Sequence, residues 1–200
     1  MAIDELTQSG NALIPELAEH VAAFEAAKKE MQGLIADLDD AQFNWRPDGD
    51  RWSMAECFDH LCMLGPRIVP LLDVGIEEAT TKNWRGEGPF KYGVIGNFFI
   101  RLAGPNTKRK FKAPGAFTPS SNHTKSRLVS SYTAMQDDFI ARARMANGFD
   151  LARPKMRNPT LPILRMSLGQ WFALLAGHQQ RHYQQAVEVK RAMETASVPS

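Results

Sequence analysis

Two histidines near the C-terminus, His178 and His182, have the spacing that allows both to bind one metal ion. Residues four apart on a helix lie about one turn apart on the same face. Trp171, Leu175 and Val189 fall on that face, within about 60° of His178 at ~100° per residue, so both imidazoles point into the protein. Each imidazole needs a partner in such a dry place, and a divalent metal satisfies both through nitrogen lone pairs.

His60 is the third candidate ligand. It lies on a second predicted helix, beside an apolar stripe of Cys57, Leu61, Leu64 and Ile68. Three histidine ligands leave coordination positions for water or substrate, which is typical of a catalytic metal. The alternative is that each histidine is an ordinary core residue held by a hydrogen bond, and the spacing alone leaves both interpretations open.

Other polar residues near these histidines allow narrower expectations. Glu56 lies one turn before His60 and is a candidate to orient a metal-bound water or act as a base. A helix-capping role explains Glu56 without catalysis, and we favour that role.

Gln185 falls on the metal face of the last helix, as a candidate partner of the ligands, whereas Cys57 is expected to be a small core residue. Two further histidines are not paired with another candidate ligand and are expected at the surface or at helix starts: His20 and His123.

The elements that must position these residues are predicted to be helices. Apolar residues recur every three or four positions, and no segment alternates convincingly over six or more. Pro66 and Pro70 interrupt the second helix and predict a kink or a short break. The fold class is therefore all-α, a four-helix bundle with a long irregular connection between the second and third helices. Long helices are predicted at about 11–37, 53–80, 121–146 and 167–195, with a short one at about 94–103.

Two helix starts are marked by capping boxes. Ser53 is followed three residues later by Glu56, and Ser167 by Gln170. In such a box the serine hydroxyl accepts the amide of the fourth residue, whose side chain returns to the serine amide. The second and last helices are therefore expected to begin just after Ser53 and Ser167.

Composition excludes several classes of protein. Apolar residues make up 44% of the 200 and charged residues 23%, which excludes a disordered, collagenous or disulfide-scaffold chain. The longest apolar run, 171–176, is too short to span a bilayer. No signal peptide is visible, and Cys57 and Cys62 point about 140° apart on a helix and cannot bridge, so we expect a cytoplasmic protein. A single domain is expected over 1–200, with its core at about 11–193.

Charge is concentrated in one stretch, although the net charge is only +2. The segment 82–112 carries eight basic residues and one acid, Glu87, and hence +7. Such a stretch can face an anion, but we favour a solvated connection. Because no nucleic-acid motif accompanies it, a nucleic-acid partner has the least support.

The order of these motifs resembles the DinB-like superfamily, which includes the YfiT-type proteins. The resemblance covers roughly 11–193 and rests on three segments: Trp52-Ser53-x-x-Glu56-x-x-x-His60, Phe111-Lys112-x-Pro114-x-x-Phe117-x-Pro119 and His178-x-x-x-His182-x-x-Gln185. It implies a four-helix bundle that binds a divalent metal ion, zinc, nickel or iron, through His60, His178 and His182. Some members of that family transfer low-molecular-weight thiols such as bacillithiol or mycothiol, or isomerise substrates with them; others are metal-dependent hydrolases, and many have no known activity.

Two function classes therefore compete. The first is a metal-dependent enzyme that transfers a low-molecular-weight thiol to a small-molecule substrate, or hydrolyses one. In the thiol version, the basic segment 82–112 would hold the carboxylates of the thiol. The second is a non-enzymatic metal-binding stress-response module. We expect no membrane partner, and the sequence leaves a homodimer open.

Overall fold

The computed structural model describes residues 12–107, 115–159 and 161–196 of the chain. Helices account for most of this part, joined by a short 3₁₀ turn at Gly115–Phe117 and one small pair of strands. The helices are α1 (Pro15–Ile35), α2 (Asp40–Phe43), α3 (Met54–Cys62), α4 (Gly65–Thr81), α5 (Val94–Ala103), α6 (Lys125–Met145) and α7 (Leu168–Ala196), and the strands are β1 (Lys155–Arg157) and β2 (Arg165–Ser167).

The long helices pack around one apolar core. α1 lies against α6 and α7, α3 packs between α6 and α7, and α4 continues along α6. Aromatic pairs fill the centre: Phe24 of α1 meets Phe139 of α6 with ring centroids 5.6 Å apart, and Phe58 of α3 meets the edge of Tyr132 of α6. The predicted helical bundle with a long connection between its second and third long elements is confirmed.

The second predicted helix is divided into α3 and α4. Pro66 falls in the first turn of α4, where its missing amide costs no hydrogen bond, and Pro70 lies inside α4. The break comes directly after Cys62, so His60 occupies the last turn of α3. The predicted interruption thus places His60 at a helix end, beside the connection between α5 and α6.

Both predicted capping boxes are present. The Glu56 amide donates to Ser53 Oγ (3.1 Å), and the Ser53 amide donates to the Glu56 carboxylate (2.8 Å). In the same way, the Gln170 amide donates to Ser167 Oγ, and the Ser167 amide to Gln170 Oε1. These bonds fix the first residues of α3 and α7, the two helices that carry the histidines.

A small antiparallel ribbon departs from the expectation of a chain without strands. β1 pairs with β2 in a register that places Met156 opposite Met166. Both methionines are buried, whereas Lys155, Arg157 and Arg165 are exposed. Three residues are too few for a two-residue alternation to stand out in the sequence. β2 runs directly into α7 and so helps to set where the last helix begins.

The connection between α4 and α6 contains the short helix α5, at the predicted position 94–103. Residues 108–114 lie outside the described residues. They include four of the eight basic residues of the segment 82–112 (Lys108, Arg109, Lys110 and Lys112) and the Phe111 and Pro114 positions of the family-like motif. Within the described residues, no helix is long and apolar enough to cross a membrane.

Candidate metal centre

The structure brings His60, His178 and His182 together between α3 and α7. Each offers one ring nitrogen such that these atoms all lie within 4.8 Å of one another. The His182 ring centroid is 4.6 Å from that of His60 and 4.5 Å from that of His178. His60 and His182 are buried, and His178 is partly buried. Three nearby imidazoles of this kind can hold a metal ion.

The histidines extend the apolar face of α7 predicted from the sequence. Trp171, Leu175 and Val189 are all buried on that face, as expected. Because α3 packs against α7, the last turn of α3 brings His60 to the same place. The i, i+4 pair and the third histidine therefore meet through ordinary helix packing.

Backbone carbonyls orient two of the three rings. Nδ1–H of His60 donates to the Phe117 carbonyl at 2.7 Å, and Nδ1–H of His178 donates to the Ala103 carbonyl at 3.4 Å. Since a carbonyl only accepts, these contacts assign the proton to Nδ1 and leave a lone pair on each Nε2. This is the arrangement usual for metal-binding histidines, whose other nitrogen donates to a carbonyl or carboxylate.

The two Nε2 atoms face each other at 3.3 Å. A hydrogen bond between them would require one ring to move its proton from Nδ1 to Nε2. The Nδ1 of that ring would then be an acceptor facing another acceptor, the carbonyl of Phe117 or Ala103. Nδ1 of His182 is also buried without a hydrogen-bond partner of good geometry among the described residues. Two nitrogens bound to one zinc ion at ~2.0–2.1 Å in tetrahedral geometry lie roughly 3.4 Å apart. The donor set therefore fits a divalent metal.

Burial keeps the three imidazoles neutral, as metal ligands must be. It lowers the pKa of His178 to about 3, with a further contribution from the facing His60. It also holds the pKa of His182 well below its ordinary value, and the pKa of His60 is lowered for the same reason, although the Phe117 carbonyl opposes the shift. Their lone pairs are free of protons at neutral pH.

Aromatic rings form one wall of the site. Trp52 stacks on His182 with ring centroids 5.8 Å apart and lies 5.0 Å from His60. Phe117 meets His60 edge-on, and the guanidinium of Arg67 covers the Phe117 ring at 4.7 Å. Trp52 belongs to the family-like motif of the sequence, but that motif alone does not place its ring at the metal site. Its position directly before the α3 cap was the available signal.

Arg181 is a second residue that the sequence analysis missed. It lies on α7 between the two histidines and donates to the Leu102 carbonyl at 3.3 Å. Its positive charge contributes to lowering the pKa of all three histidines. A cation so close favours an anionic group in the site, and its i+3 spacing from His178 was the signal that could have identified it.

The two predicted companions of the ligands have different surroundings. Glu56 is buried, and its carboxylate accepts hydrogen bonds from the Ser53 amide and from Arg46. Burial raises the pKa of Glu56, but the Arg46 and Ser53 hydrogen bonds outweigh it and leave the pKa below its usual value. These contacts support the capping interpretation. Gln185 adjoins His182 and favours its protonated form, against the larger effect of burial.

Among the described residues, the remaining histidines and cysteines are not part of the three-histidine cluster. His123 directly precedes Thr124, the cap of α6, as expected for a helix-start residue. His20 is not at the surface: its side chain is 13% exposed and packs against Phe172. Cys57 is a core residue, as predicted; burial raises its pKa to about 12, and both cysteines are free.

The fold and the cluster define a class of protein, a helical bundle with three histidines held between two of its helices. The family model described as the DinB superfamily matches residues 23–186, and the chain belongs to that superfamily. It is also 22% identical over 190 residues to the uncharacterized protein YuaE of Bacillus subtilis (strain 168), an alignment that covers 88% of this chain and all of YuaE. No solved structure matches the chain significantly.

Proposed function

We propose that this protein is a metal-dependent enzyme in which His60, His178 and His182 hold one divalent ion. The observation that carries the proposal is the pair of Nε2 atoms facing each other at 3.3 Å, with both Nδ1 atoms at carbonyls. Neutral imidazoles suit zinc, nickel or iron. Three protein ligands leave coordination positions open, as in catalytic sites.

The reaction we favour is transfer of a low-molecular-weight thiol to a small substrate, or hydrolysis of one. A divalent ion at this site would supply Lewis acidity, lowering the pKa of a bound thiol or water so that a nucleophile forms near neutral pH. In thiol transfer, the sulfur forms a bond to an electrophilic carbon, and the thiol proton leaves with the displaced group.

The residues around the triad support a small, anionic ligand. Trp52 shields the histidine rings, and water exclusion strengthens electrostatic interactions inside a site. Arg181 places a positive charge beside the triad, suited to a thiolate or a carboxylate. Lys91 and Arg101 of the basic segment are exposed and are further candidates for carboxylate binding.

The proposal is tested by assaying metal-loaded protein with a thiol and an electrophilic acceptor, and separately with activated esters and amides. We expect metal-dependent turnover in one series. His182→Ala should abolish it, whereas His123→Ala, which changes a histidine outside the triad, should not. A protein that binds one ion yet turns over neither substrate class would favour the non-enzymatic metal-binding module.

A further inference from the structure

The side chain of Gln170 joins α7 to α5. Its Oε1 accepts from the Ser167 amide at 3.2 Å, which caps α7. Its Nε2 donates to the Gly93 carbonyl and to Asn97 Oδ1, both at 2.9 Å. The side chain is buried, so both ends of one carboxamide hold the two helices together without competition from water.

Close backbone approach reinforces this link. A Cβ on Gly96 of α5 would collide with the Gln170 carboxamide, so a larger residue there would displace this carboxamide from its position. Further along the interface, a Cβ on Gly177 of α7 would lie 3.7 Å from Cα of Gly104, just beyond the end of α5. α5 therefore lies tightly along α7 from Gln170 to the neighbourhood of the triad.

The far end of α5 reaches the candidate metal centre. The last carbonyls of a helix have no partner within it. In α5, the Ala103 carbonyl accepts from Nδ1 of His178 at 3.4 Å and the Leu102 carbonyl accepts from Arg181 at 3.3 Å. The negative end of the α5 dipole also favours a donor at this position.

We infer that Gln170 is a positioning residue for His178. By holding the start of α5 on α7, it places the Ala103 carbonyl so that the His178 proton stays on Nδ1 and Nε2 is directed towards His60. The role in metal binding rests on the proposed function; the role in setting the His178 tautomer does not. The outer face of α5 is exposed at Val94, Ile95 and Phe98, so the contacts with α7 bear much of its placement.

One variant separates the two roles of Gln170, which links α7 to α5 and caps α7. Gln170→Glu keeps an acceptor for the Ser167 amide, as glutamate does in capping boxes, but loses the donor to Gly93 and Asn97. Ser167→Ala is the matched control, because it removes the cap hydroxyl and leaves the α5 contacts intact. Asn97→Ala is a milder variant that removes one of the two acceptors and serves if Gln170→Glu does not fold.

The first measurement is the tautomer of His178 in metal-free protein at pH 8, from ¹⁵N–¹H correlation spectra of the imidazole. Wild type and Ser167→Ala should carry the proton on Nδ1, whereas Gln170→Glu and Asn97→Ala should shift it towards Nε2. A His178 tautomer that is unchanged in both Gln170→Glu and Asn97→Ala would overturn the inference, whether or not the protein binds metal.

The second measurement is Zn²⁺ affinity by competition with a chromogenic chelator. Gln170→Glu should weaken binding by roughly 10-fold or more, the size seen when partners of metal-binding histidines are lost, and Asn97→Ala by less. Ser167→Ala should bind as wild type does, even where its melting temperature falls equally. Affinity that tracks melting temperature across all three variants would make Gln170 merely structural. Wild type that binds no Zn²⁺ would contradict the proposed function and leave the tautomer result to decide the positioning role.

Discussion

Nε2 of His60 and Nε2 of His178 lie 3.3 Å apart, although one residue lies in the last turn of α3 and the other within α7. On each ring the opposite nitrogen faces a backbone carbonyl. A shared proton would sacrifice one of those carbonyl bonds, whereas a metal ion between the lone pairs would keep both. The pair thus has the geometry of two ligands rather than of a donor and an acceptor.

Metal removal should lower the stability of the protein. An ion that binds only the folded state stabilises it by about 2.7 kcal/mol when free metal is a hundredfold above its dissociation constant. We expect a chelator to lower the melting temperature of metal-loaded protein at pH 7.5. His182→Ala should lose most of this difference. Glu56→Gln should keep much of it, because the structure engages Glu56 in the α3 cap. An equal chelator response in wild type and His182→Ala would mean that the histidines are ordinary core residues.

Most of the fold could be predicted from the sequence because its determinants are local. The helical periodicity, each serine cap and the proline break each depend on residues only a few positions apart in the sequence. The β1–β2 ribbon was missed because each strand has only three residues. His20 was misplaced because its burial depends on Phe172, far away in the sequence.

The candidate site was partly predictable for the same reason. His178 and His182 are recognisable in the sequence by their helical spacing, and His60 by its apolar neighbours. The carbonyls of Phe117 and Ala103, which orient the rings, are backbone atoms 57 and 75 residues from the histidines they contact. No side-chain pattern records such contacts, so they follow only from the three-dimensional structure.

His20 should make the protein less stable in mild acid. Burial lowers its pKa to about 4 in the folded state, against about 6.5 when unfolded. Between these values the unfolded chain binds the extra proton, so stability is complete above pH 6.5 and falls as the pH drops to 4, by about 2–3 kcal/mol. His20→Leu should reduce that loss in urea unfolding with chelator present. Glu16, the neighbouring carboxyl, remains in both proteins. Identical pH profiles would show that His20 is not buried as described.

Arg46 should stabilise the start of α3 through the buried Glu56 carboxylate. Arg46→Ala leaves that carboxylate with the Ser53 amide and should cost about 1–2 kcal/mol at pH 7. The pKa of Glu56 is lowered in the folded protein, so this contribution is present above the ordinary glutamate pKa and is lost as the pH falls below it. Arg51→Ala breaks an exposed pair with Asp48 and should cost less. Equal costs for the two variants at pH 7 would contradict the role of Arg46.

Trp52 should report metal binding through its fluorescence. Its ring lies 5.0 Å from His60 and 5.8 Å from His182, close enough for a paramagnetic or redox-active ion at the triad to quench it. Ni²⁺ titration should reduce tryptophan emission in wild type, and Trp52→Phe should lose most of that change. Trp84→Phe, at a tryptophan covered by Lys82, should retain it. Quenching that persists in Trp52→Phe would place the ion elsewhere.

The most direct test is the metal content of protein purified without a histidine tag. Elemental analysis after loading with Zn²⁺ and removal of excess should find one ion per chain in wild type. Single replacement of His60, His178 or His182 by alanine should reduce the content to near zero in protein that remains folded, while His123→Ala should keep one ion. Wild type without bound metal, or metal retained in all three triad variants, would contradict the assignment of the histidine triad as a metal centre.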